Sequence, residues 1–115
     1  MTGVQTCALP ISAMLNVTEI HLVLQANPDG RRIAETDPSA FRRKNLNPNK
    51  RKCGSFSDVL LGVDLNRNFP ADWGLDSGSS SDECAETFRG AGPASEPEVK
   101  AIVRYTKSKI GRAHV

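Results

Sequence analysis

Residues 19–30 read EIHLVLQANPDG. Glu19 to Ala26 is rich in Ile, Val and Leu, interrupted within the run by His21 and Gln25. A short apolar run of this kind suits a strand buried on both faces better than an amphipathic helix. Asn27-Pro28-Asp29-Gly30 then combines a proline-fixed φ, an Asp that can bond its own backbone and a Gly free to take positive φ. This is a turn signal, and the chain is expected to reverse or leave the sheet there.

Working outward, Arg31 to Lys52 is polar, with two further prolines and basic clusters at Arg42-Arg43-Lys44 and Lys50-Arg51-Lys52. It reads as a long surface segment with one helical turn. Val59 to Leu65 is short and apolar and reads as a second strand, running into Asn66-Arg67-Asn68-Phe69-Pro70. Gly74 to Ser81 is Gly/Ser-rich and expected to be irregular. Ser95-Glu96-Pro97-Glu98 has the form of a capping box, with Ser95 as N-cap, Glu98 three residues on and Pro97 in the first turn. Val99, Ile102, Val103 and Thr106 then recur at helical spacing, with Lys100, Arg104 and Lys107 elsewhere around the helix. Strand, loop, strand, loop and helix imply an α/β layer architecture. Two strands and one helix leave the first strand without enough partners, so the fold class is an incomplete α/β unit belonging to a larger sheet.

The 115 residues are 38% hydrophobic and 24% charged, an ordinary globular composition that does not point to a disordered chain. The apolar runs are far too short to span a bilayer, and a net charge of +2 is too small to predict nucleic-acid binding. Both ends look foreign to this pattern. Met1 to Ile11, MTGVQTCALPI, can be encoded by a start codon followed by ACT GGA GTT CAG ACG TGT GCT CTT CCG ATC, which resembles a short-read sequencing adapter. Ile110 to Val115, IGRAHV, can be encoded by the reverse complement of GAC GTG TGC TCT TCC GAT, which lies within the first string in another frame. One DNA element read on opposite strands accounts for both, so residues 1–11 and 110–115 are expected to be non-native and residues 12–109 native. Removing Arg112 from 15 basic residues leaves 14 against 13 acidic ones, a nearly neutral insert.

In chain order the insert carries Asn27-Pro28-Asp29-Gly30, Arg43-Lys44-Asn45, Gly62-Val63-Asp64-Leu65-Asn66-Arg67-Asn68-Phe69, Cys84-Ala85-Glu86-Thr87-Phe88-Arg89-Gly90 and Ser95-Glu96-Pro97-Glu98. Each string alone is weak, since NPDG is usually a turn and SEPE a helix start. Their conjunction in this order, from about Glu19 to Ile102, resembles the zinc metallocarboxypeptidase family, peptidase family M14. The resemblance implies a partial carboxypeptidase catalytic domain of mixed-sheet α/β/α form over residues 12–109. It also implies a substrate, a peptide with a free C-terminal carboxylate, and a zinc cofactor.

By the resemblance, Asn66 and Arg67 bind the terminal carboxylate of the substrate. The chemistry agrees, because the planar arginine fork can meet both carboxylate oxygens at once. Read without the family, the same pair makes a surface turn with a salt bridge. Arg43 occupies the position of the arginine that polarises the scissile carbonyl and stabilises the oxyanion, a task for an always-charged donor. Without the family, it belongs to a solvated basic cluster. Asp64 matches an aspartate that bonds the far nitrogen of a zinc-ligating histidine, or else it is a turn aspartate at a strand end.

The zinc ligands, a His-x-x-Glu pair and a later His, are expected outside this chain, as is the glutamate that serves as general base. No metal ligand is assigned here, and His21 reads as a sheet residue. The chain alone is expected to be inactive. Cys53 and Cys84 flank the Asn-Arg motif, where some family members carry a disulfide; two free buried thiols remain the alternative. A bridge would imply an oxidising compartment, which suits a secreted enzyme. The neighbouring readings are a deacylase of N-acyl amino acids, whose motif Asp64 to Pro70 also resembles, a cell-wall peptide amidase, and a non-catalytic peptide-binding relative.

Overall fold

The computed structural model describes residues 11–37, 42–48, 53, 61–75 and 77–109. The expected N-terminal foreign segment apart from Ile11, the C-terminal one, the cluster Lys50-Arg51-Lys52 and the first two residues of the second strand lie outside the described residues.

Residues 11–15 are helical, and two further helices organise the rest of what is described. The first, α1, spans Pro28–Thr36 and starts where a turn was expected. Asn27 is its N-cap, its side-chain oxygen accepting from the Gly30 N–H at 2.9 Å, with Pro28 in the first turn and Asp29 at the positive end of the helix dipole. The residues that signal a turn therefore serve equally well as a helix start. Arg31 and Glu35, one turn apart, pair at 2.6 Å. The helix stops at Asp37, which is extended and precedes a proline in the sequence, a position that disfavours helical backbone.

The second, α2, spans Pro97–Lys109. Glu96 accepts the first intrahelical bond, from the Lys100 N–H at 3.0 Å, so it is the N-cap, one residue later than the capping box implies. Ser95 instead donates its hydroxyl to the Glu96 carboxylate at 2.9 Å. Val99 is fully buried, Ile102 and Val103 are half-buried, and Lys100, Arg104 and Lys107 face solvent, as read from the sequence; Thr106, the last member of the expected stripe, is exposed.

No strand occurs among the described residues; the one β-bridge joins Ser80 and Phe88. Glu19 to Ala26 is unpaired and open to solvent, with Leu22 75% and Leu24 88% exposed, contrary to a strand buried on both faces. A strand needs neighbours to bond and cover it, and the described residues provide none. His21 ties this segment to α2: its Nδ1 lies 2.6 Å from the Tyr105 hydroxyl with the rings edge-on, while its Nε2 lies 3.2 Å from Glu19.

Residues 61–65 likewise form single links instead of a ladder. Asn45 N–H donates to Val63 C=O at 3.1 Å and Asp64 N–H to Phe88 C=O at 2.9 Å. Leu65–Arg67 closes a 3-10 turn. Gly62, at φ 97°, lies so close to Asn45 that a Cβ would overlap its carbonyl oxygen.

The surface totals 8957 Å², against about 6100 Å² for a compact monomer of this mass. The radius of gyration is 18.7 Å, against about 13 Å for a compact domain of this length. Among the described residues the buried apolar side chains are Val63, Leu65, Phe88 and Val99, and polar Lys44, Asn45, Asp64, Asn68 and Glu96 are buried beside them. No helix among the described residues is long and apolar enough to cross a membrane.

Candidate functional site

The site grows from the 3-10 turn. Asp64, 2% exposed, caps it: one carboxylate oxygen accepts from the Asn66 N–H at 3.1 Å. The other accepts from Arg43 Nε at 2.7 Å. A single buried carboxylate thus fixes both the turn that presents Asn66 and Arg67 and the base of the Arg43 guanidinium.

Arg42-Arg43-Lys44 is not a uniformly solvated cluster, because its members part in three directions. Arg42 donates to the carbonyls of Asn45 and Leu61 at 2.8 and 2.7 Å, stapling its own loop. Arg43, its side chain 47% exposed, pairs with Asp64. Lys44 is buried, donates to the Glu83 carbonyl at 2.9 Å and lies 5.6 Å from the centre of the Phe88 ring. Burial, then the Arg42 charge, holds the Lys44 pKa below its usual 10.5, against the opposing pull of Asp64, Asp82 and Glu86. Asn27 links α1 to this loop, its amide donating to the Lys44 carbonyl at 3.1 Å.

A polar hub unites these pieces. The Glu96 carboxylate, 1% exposed, accepts from Asn45 at 2.7 Å, Asn47 at 2.8 Å and Ser95 at 2.9 Å. The Asn45 side-chain oxygen accepts from the Val63 N–H at 2.9 Å. Asn68, wholly buried, donates to Arg89 C=O, Gly92 C=O and Ser95 Oγ and accepts from the Glu96 N–H. A carboxylate this deep survives only when its lone pairs are met, and here they are. The roles of Asn27, Asn45, Asn68 and Glu96 as positioning residues were missed from sequence. Their visible trace was only the recurrence of asparagine next to arginine and lysine, and a glutamate placed directly before a helix-starting proline.

Arg43, Asp64 and Asn66 border one cavity of about 390 Å³, whose remaining wall includes Asn27, Phe69, Val99 and Ile102. Arg67 lies off this cavity. With Asn66, Trp73 and Ser79 it lines an adjoining hollow of about 60 Å³, and its Nε donates to the Gly78 carbonyl at 3.0 Å. Asn66 borders both spaces. Arg89 sits 5.0 Å over the Trp73 ring, whose N–H donates back to the Arg89 carbonyl at 3.1 Å. Cys53 and Cys84 are joined in a disulfide, closing a loop of sequence separation 31 around the Asn-Arg turn.

Among the described residues no group of three His, Cys, Asp or Glu side chains is placed to hold a metal ion. His21 is engaged with Glu19 and Tyr105, on a segment apart from Arg43 and Asp64. These described residues do not make a zinc centre.

A sequence profile of the peptidase M14 zinc carboxypeptidases matches residues 8–114. Mouse carboxypeptidase A2 is 37% identical over 98 residues, covering 85% of this chain and 22% of that protein. Human carboxypeptidase A5 is 38% identical over 96 residues, 83% of this chain and 20% of that protein. A metallocarboxypeptidase A-like protein of Trichophyton verrucosum is 38% identical over 104 residues, 90% of this chain and 22% of that protein. The chain therefore spans about a fifth of the length of these relatives. Among solved structures, carboxypeptidase A from Helicoverpa armigera superposes with a TM-score of 0.61 at 32% identity, over 89% of this chain and 26% of that one. Bovine thrombin-activatable fibrinolysis inhibitor, in complex with tick carboxypeptidase inhibitor, gives 0.60 at 27% identity, over 90% and 36%. With the ordered motifs, the matching profile and the shared fold in agreement, the chain belongs to the zinc carboxypeptidase family, peptidase M14.

Proposed function

We propose that this chain is the substrate-anchoring part of a zinc-dependent carboxypeptidase that removes C-terminal residues from peptides. The observation that carries the reading is the placement of Asn66 between the cavity bordered by Arg43 and the hollow bordered by Arg67. A peptide end crossing that boundary would meet Arg67 and Asn66 at its carboxylate and Arg43 at the carbonyl one residue back.

Each arginine is prepared for this task. Arg67 has its Nε tied to Gly78, which leaves the terminal nitrogens of the guanidinium for the two oxygens of a carboxylate. Arg43 has its Nε tied to Asp64, so its outer nitrogens are directed by a fixed base, and their permanent charge suits an oxygen that gains negative charge as the peptide bond is attacked. The names of the three curated relatives, two carboxypeptidases and a metallocarboxypeptidase A-like protein, favour the peptidase over the deacylase, amidase and non-catalytic readings. The Cys53–Cys84 bridge favours an oxidising, extracytoplasmic location.

The test begins by sequencing the source DNA outward from codons within Glu19 to Ile102. The expected reads replace both termini with coding sequence that supplies His-x-x-Glu before and a His and a Glu after. In the enzyme so recovered, Arg43→Ala should lower kcat about 100-fold or more, the loss typical of an oxyanion donor. Arg67→Ala should abolish the preference for peptides with a free terminal carboxylate over their amides. Reads that run unchanged through MTGVQTCALPI and IGRAHV to natural start and stop codons would overturn the reading, and so would an enzyme indifferent to amidation of the peptide end.

A further inference from the structure

The hollow beside Arg67 holds a feature that the carboxylate reading does not use. The Ser79 hydroxyl oxygen is buried and has no hydrogen-bond partner, and Ser79 lines the hollow together with Asn66 and Arg67. Buried polar groups without partners are rare because the lost hydration is not repaid, so each invites the question of what it waits for. At about 60 Å³ the hollow exceeds the roughly 30 Å³ share of one liquid water and has room for a carboxylate group.

The loop that carries Ser79 is held from both sides. The preceding carbonyl, Gly78, accepts from Arg67 Nε at 3.0 Å. The following residue, Ser80, donates its N–H to Thr87 C=O and accepts from the Arg89 N–H, both at 3.0 Å. Cys84, further along, is crosslinked to Cys53. One short stretch therefore aligns the arginine and places Ser79 in the wall of the same hollow. An ionised carboxylate accepts hydrogen bonds only, so the hydroxyl would be the donor, with its proton as the only requirement.

We propose that Ser79 is a substrate-positioning residue that donates a further hydrogen bond to the terminal carboxylate held by Arg67 and Asn66; this rests on the carboxylate-anchoring role given to that pair. The ligand class is any molecule ending in a free α-carboxylate, such as a peptide substrate or the N-acyl amino acid left as a fragment of one.

The test uses the intact enzyme and calorimetric binding of an N-acetyl amino acid alongside its carboxamide. Ser79→Ala should weaken the acid about tenfold, the low end for a bond to a charged group, and leave the amide unchanged. Ser79→Thr, which keeps the hydroxyl, should restore most of the loss. Equal weakening of acid and amide would mean a merely structural serine and would overturn the proposal. So would unchanged binding of the acid by Ser79→Ala while Arg67→Lys weakens it, an outcome that leaves the anchoring role of Arg67 standing. If Arg67→Lys and Asn66→Ala also leave acid binding unchanged, the anchoring role itself fails, and the Ser79 proposal with it.

Discussion

Ile20, Leu22, Val23 and Leu24 are apolar yet 52 to 88% exposed, whereas Asn45, Asp64, Asn68 and Glu96 are polar yet at most 2% exposed. The difference lies in where the partners are. Every member of the polar group finds its donors or acceptors within the described residues: Glu96 in Asn45, Asn47 and Ser95, Asp64 in Arg43 and the Asn66 amide. The apolar segment can be satisfied only by neighbouring strands, and none is described here. A hydrogen-bonded hub can thus be completed by local loops and one helix end, while a sheet strand depends on the rest of its sheet.

The hub breaks most severely at Gly62. Gly62→Ala forces a Cβ into the Asn45 carbonyl at a φ of 97°, with backbone on both sides of the clash, and should cost the intact enzyme about 4 kcal/mol or more in urea unfolding. Next comes the crosslink that encloses the Asn-Arg turn. Replacing Cys53 and Cys84 together by serine should cost about 3 to 4 kcal/mol by chain entropy, given the separation of 31 residues. Reduction with a thiol should reproduce the loss in the parent and leave the double variant unaffected.

The apolar side of the comparison is sharpened by one substitution in two settings. Leu24→Ala, at a site 88% exposed in this chain, should change the stability of the chain by no more than about 0.5 kcal/mol. In the longer enzyme proposed above, where neighbouring strands would cover this site, it should cost about 2 kcal/mol or more. A small effect in both settings would mean that this face stays uncovered.

The smallest effect concerns Lys44, whose folded pKa is pushed below 10.5 mainly by burial. In the interval between the lowered value and 10.5 the unfolded chain binds more protons than the folded one, so Lys44 adds stability as pH rises through it. Below that interval the folded state carries the full cost of the buried charge. Lys44→Met should therefore remove a rise in stability on approaching pH 10.5, read as the difference between the urea midpoints of parent and variant across pH.

How much of this was legible depended on the distance between cause and effect along the chain. Helix α2 could be read because its proline, acidic first turn and Val99-Ile102-Val103 stripe act within a few residues of one another. Its cap was misplaced by one position because Ser95 is drawn to the Glu96 carboxylate and to Asn68, contacts set by tertiary structure. Helix α1 was misread because Asn-Pro-Asp-Gly obeys the rules of a turn and of a helix start alike, and Asn27 settled the matter by capping. The hub could not be read at all: Asn45 and Glu96 are 51 residues apart, and no local pattern announces that they meet. Only the resemblance selects Arg43 over Arg42; that Arg42 donates to the backbone carbonyls of Asn45 and Leu61 while Arg43 pairs with Asp64 is set by contacts distant in sequence.

The most direct test of this contrast is amide hydrogen exchange, measured on this chain and on the intact enzyme under the same conditions. The account predicts slow exchange in both for the amides of Asn45, Val63, Asp64 and Asn68, each of which donates within the described residues. It predicts fast exchange of the amides of residues 20–25 in this chain and slow exchange in the enzyme. Protection of residues 20–25 in the chain alone, or hub amides that exchange freely there, would contradict it.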